Sequence, residues 1–417
     1  MQNSDGTTQN TLFTGDNLFI LHGMNSQSVD LIYLDPPFNS KRMYSAPVGS
    51  KAAGASFKDM WGWDDVNEAY LETLANNYPS LVRFIQSIDT IAGKSMMSYI
   101  VYMTQRIIQM HRVLKDTGSI YLHCDPTASH YLKIVLDEIF GKENFRNEIV
   151  WSYSTGGISK KHYARKHDVI FFYSKTADCF FNLPKIETRD PKRFNLKDED
   201  GRMYYEKAGN RYYLDSGVAV RDVWDIHPVR NTSHERTGYP TQKPLELLYR
   251  IIKASCPEKG IVLDPFCGCA TTCVAAQQLG RKWIGIDIAE QSVSVLIDRL
   301  SENNEQTDGM FKDFIHRTTP PQRTDIQAVD ISNKDVKKQL YDEQKGNCNG
   351  CGAYFEIWHF EVDHIVPKSK GGGDYYENYQ LLCSSCNRIK GARPMEYLRI
   401  KIKRRMEEIK SKITFGE

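Results

Sequence analysis

What this sequence lacks narrows it first. No apolar run approaches the roughly 18 residues needed to cross a bilayer, and mean hydropathy is −0.51. The opening stretch, Met1 to Asn10, is polar and lacks the basic-then-apolar pattern of a secretion signal. A cytoplasmic protein with no membrane partner is therefore expected. An excess of one charge is also missing: 54 Lys and Arg face 52 Asp and Glu, a net of +2, so bulk charge announces no polyanionic partner. A secreted disulfide framework is missing too, because four of the ten cysteines form two C-x-x-C pairs and six are scattered. No internal repeat and no low-complexity tract interrupts the chain.

What is present fits a globular protein of two or three domains: 417 residues, 41% hydrophobic and 25% charged. Residues 1–153 alternate strand-like and helix-like patterns. Val29–Leu34 reads as a buried strand, and Met103, Ile107, Met110 and Leu114 share one helical face, with Gly118 expected as a left-handed cap. Ser119–His123 reads as a strand, and the helix marked by Leu132, Val135, Leu136, Ile139 and Phe140 closes at Gly141. Such alternation predicts an α/β layer with a mostly parallel sheet. Residues 154–240 lose that rhythm and read as an insert. The pattern resumes over 241–302. Residues 303–335 are polar, carry Pro320-Pro321 and read as a linker, and 336–417 form a Cys-rich unit with a basic end. From Arg388 to Lys412 there are ten Lys/Arg and three Asp/Glu, a cluster suited either to phosphates or to a solvated helix face.

The densest chemistry is Asp35-Pro36-Pro37-Phe38, at the end of the Val29–Leu34 run. The prolines remove donors and fix the backbone, so acceptors on Asp35 and Pro36 can face a ligand while Phe38 offers a flat face for a ring. This combination suits an exocyclic amine on a planar base. A second stretch, Ile261 to Thr272, reads as a strand ending at Asp264, a tight turn and a helix starting near Ala270. A further strand from Trp283 ends in Asp287, 23 positions after Asp264, where a carboxylate can bind ribose hydroxyls.

Together these stretches resemble the β class of DNA amino-methyltransferases, in which the catalytic motif precedes the recognition region and the cofactor motif comes last. Gly118 to Asp125, Arg165 to Ile170, Thr241-Gln242-Lys243-Pro244 and Gly285-Ile286-Asp287 match as well, over roughly residues 11–300. The resemblance implies a Rossmann-like fold binding S-adenosylmethionine, with contacts at Asp16, Lys243, Asp264, Phe266, Gly268, Thr271 and Asp287. It implies catalysis by Asp35, Pro36, Pro37 and Phe38 on a base flipped out of double-stranded DNA. Ala270 stands where many relatives have Gly, and is small enough to leave cofactor binding intact. Relatives with Asp at the first motif position mostly methylate adenine N6 and those with Ser cytosine N4, so Asp35 favours adenine. Relatives are often dimers, which makes a homodimer one implied assembly. The insert would hold the target-recognition element, with Lys160, Lys161, Arg165, Lys166, Lys192 and Arg193 among Tyr163, Tyr204, Tyr205, Tyr212 and Tyr213. The other reading is a subdomain whose tyrosines form its core. The cysteines at 124, 179, 256, 267, 269 and 273 read as packing residues.

In the last 80 or so residues, Cys348-x-x-Cys351 and Cys383-x-x-Cys386 have the spacing of a tetrahedral zinc site. Between and after them come Asp363-His364, Asn378 and Asn387-Arg388-Ile389-Lys390. This order resembles the four-cysteine HNH endonucleases over about residues 337–395. The resemblance implies a ββα-metal fold with His364 as general base, and Asp363 and Asn387 as ligands of a divalent ion such as Mg. Asn378 would orient the site and Lys390 would reach a phosphate. Asn387 stands where some relatives have a last His. Two readings stay open: a methyltransferase joined to a nuclease in a restriction-modification protein, or a methyltransferase whose zinc module only binds DNA. A third makes the nuclease primary and the methyltransferase fold a sensor of methylation.

Overall fold

The computed structural model describes residues 10–37, 42–45, 56–59, 68–75, 77–154, 158–186, 191–230, 232–304 and 314–414. Phe38 lies outside them. The chain begins with β1 (Thr11–Thr14), α1 (Asn17–Gly23) and β2 (Val29–Leu34), then a hairpin of β3 (Arg42–Ser45) and β4 (Ser56–Asp59). Helices α2 (Glu68–Ala75), α3 (Pro79–Ala92) and α4 (Lys94–Val113) lead into β5 (Leu114–Cys124), α5 (Ser129–Phe140), β6 (Phe145–Ser152) and β7 (His167–Ser174). Short strands β8 (Lys185–Ile186), β9 (Leu196–Lys197), β10 (Met203–Lys207), β11 (Asn210–Tyr213) and β12 (Val218–Ala219) come next. Then follow β13 (Val223–Asp225), α6 (Leu245–Ser255), β14 (Ile261–Asp264), α7 (Thr271–Gln278), β15 (Lys282–Asp287), α8 (Gln291–Asn304) and β16 (Ile315–Arg317). The last unit has α9 (Lys334–Glu343), the antiparallel pair β17 (Phe360–His364) and β18 (Tyr379–Cys383), α10 (Ser384–Lys390) and α11 (Met395–Thr414).

Nine strands form one sheet in the order β13-β6-β7-β5-β2-β14-β15-β1-β16, parallel except for β7. Every residue of β2 is buried, as a central strand covered on both faces requires. One apolar layer gathers Leu81, Ile85, Met103, Ile107 and Leu132 from α3, α4 and α5. The opposite layer gathers Leu248, Ile252, Val274 and Leu296 from α6, α7 and α8. A separate core of Leu340, Phe360, Leu381, Leu382 and Leu398 supports the C-terminal unit. Among the described residues, no helix is long and apolar enough to cross a membrane.

Three local expectations change. Helix α4 ends at Val113, and Gly118 lies inside β5 without a left-handed φ. There the pairing with β2 jumps from Val29↔Leu114 to Leu31↔Ser119, and a Cβ on Gly118 would come within 2.9 Å of the Asp30 carbonyl. Close backbone approach at a bulge, not helix capping, explains this glycine. Within the region read as an insert, β7 and β13 belong to the main sheet; β7 carries Val169 to Tyr173, all buried. The polar segment read as a linker supplies the edge strand β16, and Arg323, Thr324 and Asp325 bond to Asn25 and Ser26 just beyond α1. Polar partners at a surface seam, not a missing structure, account for its composition.

Candidate functional site

Parallel strands deliver their carboxyl ends to one edge, and neighbouring strands lie ~4.8 Å apart. β2, β14, β15 and β1 are adjacent, so Asp35, Asp264, Asp287 and Asp16 converge there. A cavity of about 420 Å³ opens among them, lined also by Tyr33, Pro36, Pro37, Tyr102, Arg106, Tyr239, Lys243, Phe266, Gly268 and Thr271. That size suits a cofactor-sized ligand.

The turn after β14 is built around its carboxylates. Asp264 accepts from Phe266 N at 3.0 Å and from Thr272 Oγ1 at 2.5 Å. Burial nonetheless pushes its carboxyl up to about 7. Asp287 accepts from Gly268 N and Ala289 N, each at 2.8 Å, and burial raises it as well. Gly268 has φ 50°, and a Cβ there would meet the Tyr239 ring at 3.0 Å. Ala270 caps α7 with φ 57°, a left-handed conformation that explains why glycine would serve at this position. Thr271 Oγ1 accepts from the buried Arg299 at 2.9 Å.

Asp16 caps α1 through Leu18 N at 2.9 Å and accepts from Arg106 at 2.8 Å. Arg106, itself buried, also donates to Asn17, whose amide donates to the Pro265 carbonyl at 2.7 Å. One guanidinium on α4 thus ties α1 to the turn after β14. Asp35 Oδ2 accepts from Lys243 Nζ, whereas Asp35 Oδ1 is buried with no hydrogen-bond partner among the described residues. Behind it, His123 bonds Tyr33 OH at 3.0 Å and Asp168 at 3.1 Å, and Tyr153 OH donates to Asp168 at 3.2 Å.

In the C-terminal unit the sulfurs of Cys348, Cys351, Cys383 and Cys386 lie within 4.8 Å of one another. Backbone N–H groups of Gly350 and Cys383 point at Cys348 Sγ, at 3.4 and 3.2 Å, as around a metal-bound thiolate. Four soft donors on two knuckles fit zinc. Asp363 and His364 end β17, and Asn387 lies on α10. His364 Nε2 meets Asp374 Oδ1 at 2.8 Å. Asn378 is buried, accepts from Val366 N at 2.8 Å and donates to the Val366 and Gly373 carbonyls at 3.0 Å, clasping the loop between the two strands. Asp363 accepts from Gln380 at 2.9 Å and pairs with Lys390 at 2.9 Å, and Asn387 donates to Glu361. Lys390 is 1% exposed and also donates to the His364 carbonyl, so it does not reach out to a phosphate as the sequence implied.

Residues 29–298 match a family described as DNA methylase, N6_N4_Mtase. The chain belongs to this family. Residues 348–393 match the HNH endonuclease family, so the methylase carries a C-terminal HNH domain. It is 31% identical over 299 residues to DNA adenine methyltransferase YhdJ of Escherichia coli (strain K12), spanning 71% of this chain and 84% of that one. It is 28% identical over 307 residues to type II methyltransferase M.BglII of Bacillus subtilis, 71% of each. A solved PvuII DNA methyltransferase (cytosine-N4-specific) overlays with TM-score 0.45 and 14% identity, covering 75% of this chain and 96% of that one.

Of the residues singled out from sequence in the methylase, Asp35, Pro36, Pro37, Asp16, Lys243, Asp264, Phe266, Gly268, Thr271 and Asp287 all line the cavity. Lys243 sits on Asp35. No local pattern marks Arg106, Asn17, Tyr239 or the His123–Asp168 pair, although His123 and Asp168 lie in matching stretches. In the HNH domain no motif marks Asp374, the partner of His364. Of the insert's tyrosines, Tyr204 is buried and Tyr163 and Tyr212 are exposed; Arg193 and Arg202 stack on Tyr205 and Tyr213. The five cysteines at 124, 256, 267, 269 and 273 are buried, as packing residues should be, and Cys179 is half-buried.

Proposed function

We propose that this methylase transfers a methyl group from S-adenosylmethionine to adenine N6 in double-stranded DNA, and that its HNH domain cuts DNA as the restriction half of a one-chain restriction-modification protein. One observation carries the first half: Asp35 Oδ1 is a buried acceptor with no hydrogen-bond partner among the described residues, on a residue that lines the cavity. A buried carboxylate oxygen left unpaired is costly unless a ligand supplies the donor. An exocyclic amine has two N–H groups, for which Asp35 Oδ1 and the Pro36 carbonyl are the acceptors. Accepting both hydrogens withdraws the nitrogen lone pair from the ring and aims it at the methyl carbon. S-adenosylmethionine supplies that methyl on a sulfonium, so the breaking C–S bond leaves its electron pair on sulfur. The nitrogen then sheds one proton, and Asp35 Oδ1 is placed to take it. Catalysis is positioning and electrostatics, with no covalent link to the protein. Asp287 is the carboxylate for the ribose. The preference for adenine rests on Asp35 and on the adenine specificity named for the Escherichia coli relative.

In the HNH domain, His364 would draw the proton from the attacking water, oriented by Asp374, while Asp363 and Asn387 hold a divalent ion such as Mg. The four cysteines hold zinc and build the platform. One observation favours the second reading, a zinc module that binds DNA without cutting: the buried Lys390 ammonium already neutralises Asp363. A plasmid assay decides between them. Purified protein and Mg, without S-adenosylmethionine, meet unmethylated DNA and DNA already methylated by this enzyme. Cutting of the unmethylated plasmid alone is the expected result; no cutting of either leaves a methyltransferase with a binding module.

A further inference from the structure

We propose that Lys243 is a positioning residue for Asp35 rather than a contact of the cofactor; the proposal rests on the methyl-transfer reading. Lys243 is 8% exposed, and its ammonium donates to Asp35 Oδ2 and to the Thr241 carbonyl at 3.3 Å. The two oxygens of Asp35 are thereby made unequal. Oδ2 is held, and Oδ1, with no partner among the described residues, is left to accept from an amine. A carboxylate without that anchor can rotate and offer either oxygen, in either direction, to a base that needs one acceptor at one place. The ammonium also keeps a buried negative charge paired at the moment the base arrives.

The loop that delivers Lys243 is built for the purpose. Thr241 adopts φ 63°, an outlier for a β-branched residue. Its neighbour Gln242 accepts from Thr237 N and Thr237 Oγ1, each at 2.9 Å, and donates to the Glu235 carbonyl at 2.6 Å. Glu235 in turn accepts from Leu245 N, the first residue of α6, at 3.1 Å. Strain at one residue is held by bonds at its neighbours, and what the strained turn presents is the ammonium. A second carboxylate lies within the field of Lys243. Burial alone would raise Asp168, but the His123 hydrogen bond and charge, with Lys243, bring it below the usual carboxylate range. Through His123 that group reaches Tyr33, two residues before Asp35 on β2. Lys243 therefore closes a circuit that fixes the end of β2 from both sides.

The test uses the full chain with Lys243→Met and Lys243→Arg. Methyl transfer gives kcat and both KM values, and calorimetry gives the Kd of S-adenosylhomocysteine. Lys243→Met is expected to lower kcat about 10²-fold while that Kd stays within about twofold, and Lys243→Arg is expected to restore part of kcat. A Kd weakened tenfold or more with kcat retained makes Lys243 a cofactor contact and overturns the proposal. Crystal structures of the wild type and of Lys243→Met give a readout independent of turnover. Asp35 turned away or spread over rotamers supports the proposal, and an unmoved carboxylate overturns it. If Lys243→Met does not fold, Lys243→Gln carries the same measurements. A wild-type chain that methylates no DNA sinks the methyl-transfer reading, and the Asp35 comparison still decides the role of Lys243.

Discussion

Asp264 holds its proton up to about pH 7, so its charge answers to what fills the cavity. The folded protein binds a proton there that the unfolded chain has already released above the ordinary carboxylate range. Stability from this group therefore falls as pH rises from about 4 to 7 and is not regained above it. Asp264→Asn should flatten that part of the pH–Tm curve. A cation entering the cavity favours the carboxylate, so S-adenosylmethionine should expel a proton near pH 7. Its binding enthalpy should then vary with the ionisation enthalpy of the buffer, and S-adenosylhomocysteine, lacking the sulfonium charge, should expel fewer protons. Enthalpies independent of buffer would rule this out. Asp35→Ala should cut methyl transfer by at least about 10²–10³-fold and leave cofactor binding in place; full activity would sink the mechanism.

At the scale of elements, the legible parts were those whose chemistry is local. A buried run ending in Asp35-Pro36-Pro37, a strand-turn-helix at Asp264 to Thr271 and paired C-x-x-C knuckles each declare themselves within a dozen residues. The unread parts are long-range. Arg106 is one side chain in a 20-residue helix, and only folding brings it to Asp16, 90 positions away. Gly118 reads as a cap because the sequence cannot show Asp30 lying against it. Lys390 reads as free because its partner is on another element. Two elements carry their own tests. A Cβ on Gly23, the last residue of α1, would fall 1.9 Å from the Pro321 carbonyl, so Gly23→Ala should destabilise by about 1–3 kcal/mol, read as a lower urea midpoint. A zinc chelator should unfold the knuckles and the β17–β18 pair while the methylase keeps its cofactor affinity; an unchanged circular dichroism spectrum would show the cysteines to be unmetallated packing.

Across the whole molecule, the segment from β16 to Val329 runs along the methylase rather than away from it. Beyond β16, Arg323 and Thr324 hold residues 25 and 26, Val329 N donates to the Asp374 carbonyl at 2.8 Å, and Tyr379 OH donates to the Val329 carbonyl at 2.6 Å. The Lys368–Lys370 turn lies on α1, where Lys370 Nζ is 4.4 Å from the Phe19 ring and a Cβ on Gly371 would meet the Phe19 carbonyl at 2.3 Å. α1 and its cap thus have Asp16 and Asn17 at the cavity and Phe19 and Gly23 against the HNH domain. An insertion of flexible residues between Gln327 and Ala328 should loosen the second contact without touching the first. Methyl transfer should survive it, and the pattern of DNA ends should spread.

A nuclease on a slack tether searches a volume, and its cuts scatter over every phosphate the tether can reach. Seated on α1, an HNH domain that cuts would have no such freedom. The seam would then act as a ruler, setting the number of base pairs between the base that is read and the bond that is broken, and sequencing of the cut ends should return one offset.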